Sequence, residues 1–204
     1  MAITVTEYRG CRKLVYAEVT EDTAESYTTG AVKELAPVAE ISKTVETSSE
    51  SHYYDNKAAI VINSEGADTV SFTVAIPSDE VLADISGRTY DATKKMYIES
   101  EKVDKYFAVG YVLGTTDGNE KYVWRYKGKF NEPEHTSATK DDGTSANNMT
   151  VEFAGIYTTH EFTNGKGTGK KGAAKAMFVN SADNVTTEDK FFETVSTPDT
   201  TFSA

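Results

Sequence analysis

The chain has 204 residues, of which 38% are hydrophobic and 26% charged, a composition typical of one globular domain and not of a disordered protein. Its 32 acidic and 21 basic residues give a formal net charge of -11, which disfavours tight nucleic-acid binding through phosphates. The single cysteine excludes an internal disulfide, and no apolar run approaches a membrane span or a secretory signal. We therefore expect one soluble domain over residues 1–204, made in the cytoplasm.

The first part of the chain predicts strands that are interrupted by a long loop. Residues 14–20 have the pattern of a strand, and a half-buried segment follows Pro37. Residues 46–57, ETSSESHYYDNK, have few aliphatic side chains, a Ser/Thr/Glu bias and two adjacent tyrosines. This composition predicts a long exposed loop in which the two tyrosines form a contact site. Loops of this length usually have a function.

A core strand and one short helix are predicted next. Residues 69–76, TVSFTVAI, show the clearest apolar alternation in the chain and predict a core strand. A helix over 78–86 follows, with Ser78 as a possible N-cap and Gly87 at its end. Such a short helix is marginal alone, so its apolar face must dock on a sheet. That face is formed by Val81, Leu82 and Ile85.

Residues 105–133 predict a long β-hairpin that contains the only Trp of the chain. An Asp117-Gly118 pair, which tolerates the positive φ angles of a tight turn, lies between its two strands. On the returning strand, we expect the aromatic parity to pack inward and the charged parity to face solvent or a partner. The aromatic parity comprises Tyr122, Trp124 and Tyr126, and the charged one comprises Arg125 and Lys127.

The last part of the chain predicts further strands and no repeat. A polar loop over 134–148 precedes a strand over 149–158, and a Gly/Lys-rich turn over 164–172 precedes a strand over 173–179. The chain is thus predicted to be mostly β with one packed helix. The expected core anchors are Phe72, Val74, Leu82, Ile85, Tyr122, Trp124, Tyr126 and Phe153.

The residue types that carry chemistry do not form an enzymatic pattern. His52, His135 and His160 share no metal-ligand spacing, and Cys11 is typical of a small core residue and not of a nucleophile. Residues 167–172 match G-x-G-x-x-G, but a strand and not a βαβ unit follows, so a flexible hairpin tip is expected. We expect no enzyme, no cofactor and no metal site.

A carbohydrate-binding or host-adhesion β-sandwich module is the alternative that the residues leave open. Trp124 and the 12 tyrosines could form a platform on which sugars stack. Tyrosines on alternating strands are more often core or subunit-interface residues, which favours a structural protein.

Several stretches in order along the chain resemble the major tail proteins of long, non-contractile-tailed bacteriophages. The strongest part of the resemblance is in the hairpin, and only residues 131–148 and the Gly/Lys-rich turn depart clearly from it. The stretches are RKLVYAEVTED (12–22), KELAPVAEIS (33–42), YYDN (53–56), IPSDEV (76–81), GRTYD (87–91), FAVGY (107–111), YVWRYKGKFNEP (122–133) and KFFETV (190–195).

This resemblance implies the tail-tube fold, a β-sandwich of two packed sheets with one short flanking α-helix and long extended loops or arms. It also implies a viral structural protein whose hexameric rings stack into the tail tube of the virion, assembled in the cytoplasm of the host bacterium. The partners would be further copies of the chain, the tape measure protein and other tail proteins, with DNA as a transient, non-specific cargo of the lumen and no membrane. An acidic wall would pass DNA during ejection without holding it.

Two segments are expected to make the contacts between subunits. Residues 46–57 are expected to stack one ring on the next, and residues 180–204 to form a C-terminal arm. The expected subunit and ring interface residues are Glu46, Glu50, His52, Tyr53, Tyr54, Asp55, Arg125 and Lys127.

Overall fold

The computed structural model describes residues 5–137 and 148–202, which are mostly β with two short α-helices. Most of the loop predicted over 134–148 lies outside these residues. The strands are β1 (Tyr8–Asp22), β2 (Tyr27–Thr29), β3 (Lys33–Ala36), β4 (Val38–Tyr54), β5 (Lys57–Val74), β6 (Thr89–Asp91), β7 (Met96–Ile98), β8 (Phe107–Thr115), β9 (Glu120–Phe130), β10 (Glu134–His135), β11 (Met149–Ile156) and β12 (Ala176–Asn180). The helices are α1 (Asp79–Ser86) and α2 (Glu188–Glu193), with a 3₁₀ turn at Ser181–Asp183.

Ten of these strands form one hydrogen-bonded antiparallel sheet, which confirms the expected mostly β architecture. Its order is β2-β1-β8-β9-β11-β5-β4, while β3 adds to β1, β10 to β11 and β12 to β9. Strands β6 and β7 form a separate two-stranded sheet. Because β3 pairs with β1 and continues through Pro37 into β4, which pairs with β5, one segment joins both edges and the sheet closes on itself. The backbone N–H of Ala75 donates to the Pro37 carbonyl at 2.9 Å and fixes this joint.

The closed sheet surrounds an apolar core. Alternate residues of each strand point inward, because successive side chains of a strand lie on opposite faces. On β5 the inward set is Val70, Phe72 and Val74, each with no exposed surface. The other members of this core are Leu14, Tyr16, Leu35, Ile85, Phe107, Val109, Tyr111, Val123, Phe130, Met149, Val151 and Phe153.

A second apolar core covers the outer face of the same sheet, around Trp124. Helix α2 and the residues after it fold back onto this face, and Phe191, Phe192 and Val195 are buried there. The indole Nε1 of Trp124 donates to the Phe191 carbonyl at 3.0 Å. The described part of the expected C-terminal arm, residues 180–202, is therefore packed on the body and does not extend from it.

Strand β9 contributes side chains to both cores, and a β-bulge changes which of its residues face inward. Its pairing with β8 shifts between Val109 opposite Arg125 and Phe107 opposite Gly128, which places one extra residue on β9. The inward parity changes there, so Val123 and Phe130 both reach the inner core. Because both faces of β9 are covered, its charged residues Arg125 and Lys127 are shielded from solvent.

Helix α1 is bounded by the two residues that the sequence predicted as its ends. The Ser78 hydroxyl accepts the Val81 N–H at 3.4 Å, and Gly87 terminates the helix with φ 65°. A Cβ on Gly87 would lie 2.1 Å from the Val103 carbonyl oxygen, so only glycine fits there. The helix packs Ile85 into the inner core, with Val81 and Leu82 partly buried beside it.

No helix in residues 5–137 and 148–202 is long and apolar enough to cross a membrane.

Candidate interaction surface

The outer half of the β4–β5 hairpin projects from the body as a two-stranded ribbon, which we define as residues 46–66. The pairing runs from Thr47 opposite Glu65 to Tyr54 opposite Lys57, and among residues 5–137 and 148–202 no third strand pairs with this stretch. Asp55 and Asn56 make the turn with φ 50° and 62°, the conformation of a tight two-residue hairpin. The residues predicted as a loop over 46–57 therefore form one strand and the turn of this ribbon, and the pairing shifts register between His52 and Tyr53.

The ribbon exposes apolar side chains on both faces. Tyr53 and Tyr54 at its tip are 69% and 62% exposed, and Ile60, Val61 and Ile62 form an exposed apolar run on β5. Because side chains alternate along a strand, Ile60 and Ile62 share one face and Val61 lies on the other. A two-stranded ribbon is marginally stable in water by itself, and clustered exposed apolar residues mark interaction sites. The ribbon thus has the character of a surface that another molecule covers.

Most of the predicted interface residues lie on this ribbon. Its proximal part carries Glu46 and Glu50, and its tip carries the others; all are exposed except His52, which is half-buried. The tip residues among them are His52, Tyr53, Tyr54 and Asp55.

Arg125 does not lie on a surface, and the outward orientation expected for it is wrong. Its side chain is 2% exposed, and it donates from Nη1 to Asp68 at 3.0 Å and from Nε to the Tyr111 hydroxyl at 3.0 Å. Asp68, also buried, accepts from Lys43 at 2.9 Å and from Lys175 at 3.3 Å. This cluster joins β4, β5, β9 and the segment before β12 at the root of the ribbon.

The charges of this root cluster favour the ionised carboxylate. Burial disfavours the charged form of Asp68, but hydrogen bonds from Lys43, Arg125 and Lys175 outweigh it, so the pKa of Asp68 is lowered. A half-satisfied buried cluster would be destabilising, whereas this one pairs each charge. The root is therefore a rigid base from which the ribbon extends. The alternation of side chains along β9 did not predict this cluster, because we assumed that only one face of the strand is buried.

Lys127 is likewise held within the chain. Its side chain is 12% exposed, and Nζ donates to Asp22 at 2.5 Å. Asp22 also accepts the backbone N–H groups of Thr159 and His160, each at 2.8 Å. Although burial opposes ionisation, these hydrogen bonds, that of Lys127 first, lower the pKa of Asp22. Lys127 stabilises the body, and its expected orientation toward a partner or solvent is wrong.

Trp124 cannot serve as a platform for sugars. It has no exposed surface, its ring lies 5.6 Å from that of Phe192, and its only polar atom donates to Phe191. All the predicted core anchors are buried except Leu82, which is partly buried. They comprise Phe72, Val74, Leu82, Ile85, Tyr122, Trp124, Tyr126 and Phe153.

The remaining candidate chemistry is dispersed. In residues 5–137 and 148–202, no three His, Cys, Asp or Glu side chains converge to hold a metal ion. Cys11 is half-buried, and desolvation, with the charge of Glu40, raises the pKa of its thiol, which disfavours a nucleophile. In the Gly/Lys-rich turn, the Asn164 side chain donates to Asp199 at 3.1 Å and accepts the Gly169 N–H at 2.8 Å. That turn is tied to the C-terminal segment and has no phosphate-binding helix after it.

No model of a known protein family and no curated protein matches the chain.

Proposed function

We propose that the chain is a structural protein of a bacteriophage virion, which polymerises as stacked hexameric rings to form the tube of a long, non-contractile tail. The projecting ribbon carries this proposal. It is anchored by a buried ion cluster, exposes apolar side chains on both faces and, among the described residues, pairs with no third strand. Such a surface fits self-assembly better than catalysis, which would need convergent titratable groups.

The resemblance of several ordered stretches of the sequence to major tail proteins is the reason for proposing a tail tube as the assembly. In that role the body forms the ring wall, and the ribbon reaches a neighbouring copy in the next ring. Pairing between copies would also remove the hazard of an open strand edge, since the outer part of β4, beyond the closed part of the sheet, pairs only with β5 among the described residues. The tape measure protein and other tail proteins are the further partners.

The net charge of -11 supports a role in conducting DNA. A lumen lined by acidic groups gains no affinity from the release of counterions, so duplex DNA would pass through it as a transient cargo. Assembly would take place in the cytoplasm of the host, and the tube would function in the virion.

Electron microscopy of the concentrated protein in negative stain tests the proposal. We expect rings or tubes with a central channel from the unchanged chain. A matched variant replaces residues 49–63 by Asn-Gly, so that a two-residue turn joins the paired residues Ser48 and Ser64. This variant keeps the root cluster and should remain folded but unassembled. Absence of any polymer from the unchanged chain, or identical tubes from both proteins, would contradict the proposal.

A further inference from the structure

A cleft opens at the root of the ribbon, where the seam of the closed sheet separates. Strand β3 pairs with β1 at residues 14–16, whereas the earlier part of β1 pairs with β8 and, among the described residues, with no other strand. The resulting gap has a volume of about 560 Å³, within the range of sites that hold one or two aromatic side chains. It is lined by Tyr8, Gly10, Cys11, Ala39, Glu40, Ile41, Lys43, Tyr111, Leu113, Arg125 and Phe178.

The cleft combines an apolar wall with three charged side chains, the buried Arg125 and the more exposed Glu40 and Lys43. Ile41 and Leu113 are partly buried in the wall, and Phe178 is an exposed aromatic residue that also lines the cleft. Lys43 and Glu40 come from the same strand, β4. Lys43 contacts Asp68, whereas Glu40 forms no ion pair within the part of the chain that the structure describes. An occupant that has an aromatic ring and a charge of each sign would complement this lining.

The tip of the ribbon has these features. Tyr53 and Tyr54 are its exposed aromatic residues, and Asp55 in the turn and Lys57 after it carry one charge of each sign. Across the described residues, neither Asp55 nor Lys57 takes part in an ion pair. Tyrosine is a common anchor in protein interfaces, because it covers a large area and carries a hydroxyl group.

The tip cannot reach the cleft of its own chain. A strand rises about 3.3 Å per residue, so Tyr54 lies about 36 Å along β4 from Lys43, which lines the cleft. The donor and the acceptor are thus at opposite ends of one ribbon. A contact between them is head-to-tail, and each copy that donates a tip leaves its own cleft free for another.

We propose that the cleft receives the ribbon tip of a second copy, with a tyrosine ring against Ile41 and Leu113, Lys57 opposite Glu40, and Asp55 opposite Lys43. This inference rests on the proposed function in that copies assemble through the ribbon, and it identifies the acceptor. It also gives Cys11, the chain's single cysteine, a position within reach of the incoming tip.

Disulfide trapping with the native Cys11 tests the contact. Tyr53→Cys and Tyr54→Cys are made separately in the full chain, oxidised with diamide and separated on a non-reducing gel. Because the trapped positions differ on donor and acceptor, at least one variant should give a ladder of multimers instead of a dimer. Cys11→Ser combined with the same change should abolish the ladder. Thr93→Cys, an exposed position on the β6–β7 hairpin, is the matched control and should give no ladder.

A charge exchange gives a second, independent readout. Lys57→Glu and Glu40→Lys should each raise the concentration needed for assembly about tenfold, and the double variant should restore most of that loss. Tubes without a Cys11-dependent ladder, and without rescue in the double variant, would overturn the docking site and leave the proposed function standing. A Cys11-dependent ladder without tubes would support the docking site and overturn the tube. If neither a ladder nor a tube forms, both fail.

Discussion

The two halves of the β4–β5 hairpin belong to the same strands but have opposite environments. In the inner half, β5 pairs with β11 as well as β4, and Val70, Phe72 and Val74 point into the core while the residues between them do not. In the outer half, the strands pair only with each other, and apolar residues occupy both faces. The inner half is complete within one chain, whereas the outer half lacks the surfaces that would cover it.

This contrast shows that backbone pairing and burial are separate requirements. Cross-strand pairing continues to the tip despite two register shifts, because threonine favours strands and the Asp55-Asn56 turn suits a hairpin without a core. Burial of apolar side chains stabilises only the inner half of the hairpin, between the root cluster and the core. Substitutions in the body should therefore change stability, and substitutions in the ribbon should change assembly.

The largest loss of stability is expected at Trp124. Trp124→Ala removes a fully buried side chain from between the sheet and α2, so it should lower the free energy of unfolding by about 3 to 5 kcal/mol. Chemical denaturation of the dilute protein measures this change. Phe178→Ala, which truncates an aromatic residue that is 51% exposed, should cost less than about 1 kcal/mol. Equal losses would show that the outer face is not a core.

Arg125→Leu should produce the next largest effect, about 3 kcal/mol of destabilisation. The change leaves buried Asp68 without its most enclosed partner, although Lys43 and Lys175 remain. Arg9→Leu, at an exposed arginine, serves as the control and should change stability by less than about 0.5 kcal/mol. An Arg125→Leu protein as stable as the unchanged chain would show that the cluster does not hold the root.

Lowering the pH should reduce the contribution of the root cluster to the free energy of unfolding. Since the pKa of Asp68 is lower in the folded chain than in the unfolded one, its contribution to stability is present above its unfolded pKa of about 3.9 and is lost as pH falls through the folded pKa. Asp22 and Asp84, whose pKa values are also lowered, add to the same dependence. Unfolding free energies from pH 7 to pH 2 should fall less steeply for Asp68→Asn than for the control Asp104→Asn. Parallel curves would contradict this.

The smallest change in stability is expected in the ribbon. Ile60→Thr with Ile62→Thr removes the apolar groups of one face, and Val61→Thr removes that of the other, while both keep residues that favour strands. Each variant should unfold within about 0.5 kcal/mol of the unchanged chain. Sedimentation at rising concentration should show weaker assembly for the variant whose face is covered. Weaker stability without any effect on assembly would place these residues in the body's own core.

The sequence predicted those elements whose burial is one-sided and local. Alternation predicted the strand over 69–76, which ends at Val74 and leaves Ile76 exposed, and the caps Ser78 and Gly87 predicted α1. Both signals are contained in a few neighbouring residues. The hairpin that contains Trp124 was also visible from its turn and its aromatic parity. These are the parts of the fold for which local preference and tertiary packing agree.

The sequence did not reveal features that depend on distant parts of the chain. Arg125 was expected on a surface because alternation cannot show that both faces of β9 are covered, one of them by a segment beginning at Glu188. Residues 46–57 lack the aliphatic residues that usually indicate a strand, so their regular pairing was not predicted. The composition of residues 46–57 indicated the two tyrosines at the tip as contact residues. The cleft at the root was not predicted, because it depends on how the sheet closes through Pro37.

Amide hydrogen exchange of the dilute and the assembled protein is the most direct test of the division between body and ribbon. We expect the amides of Val70, Phe72 and Val74 to be protected in both states. The amides of residues 46–66 should exchange rapidly in the dilute protein and become protected on assembly. Protection of the ribbon in the dilute chain, or no gain of protection on assembly, would contradict the claim that a second copy completes this surface.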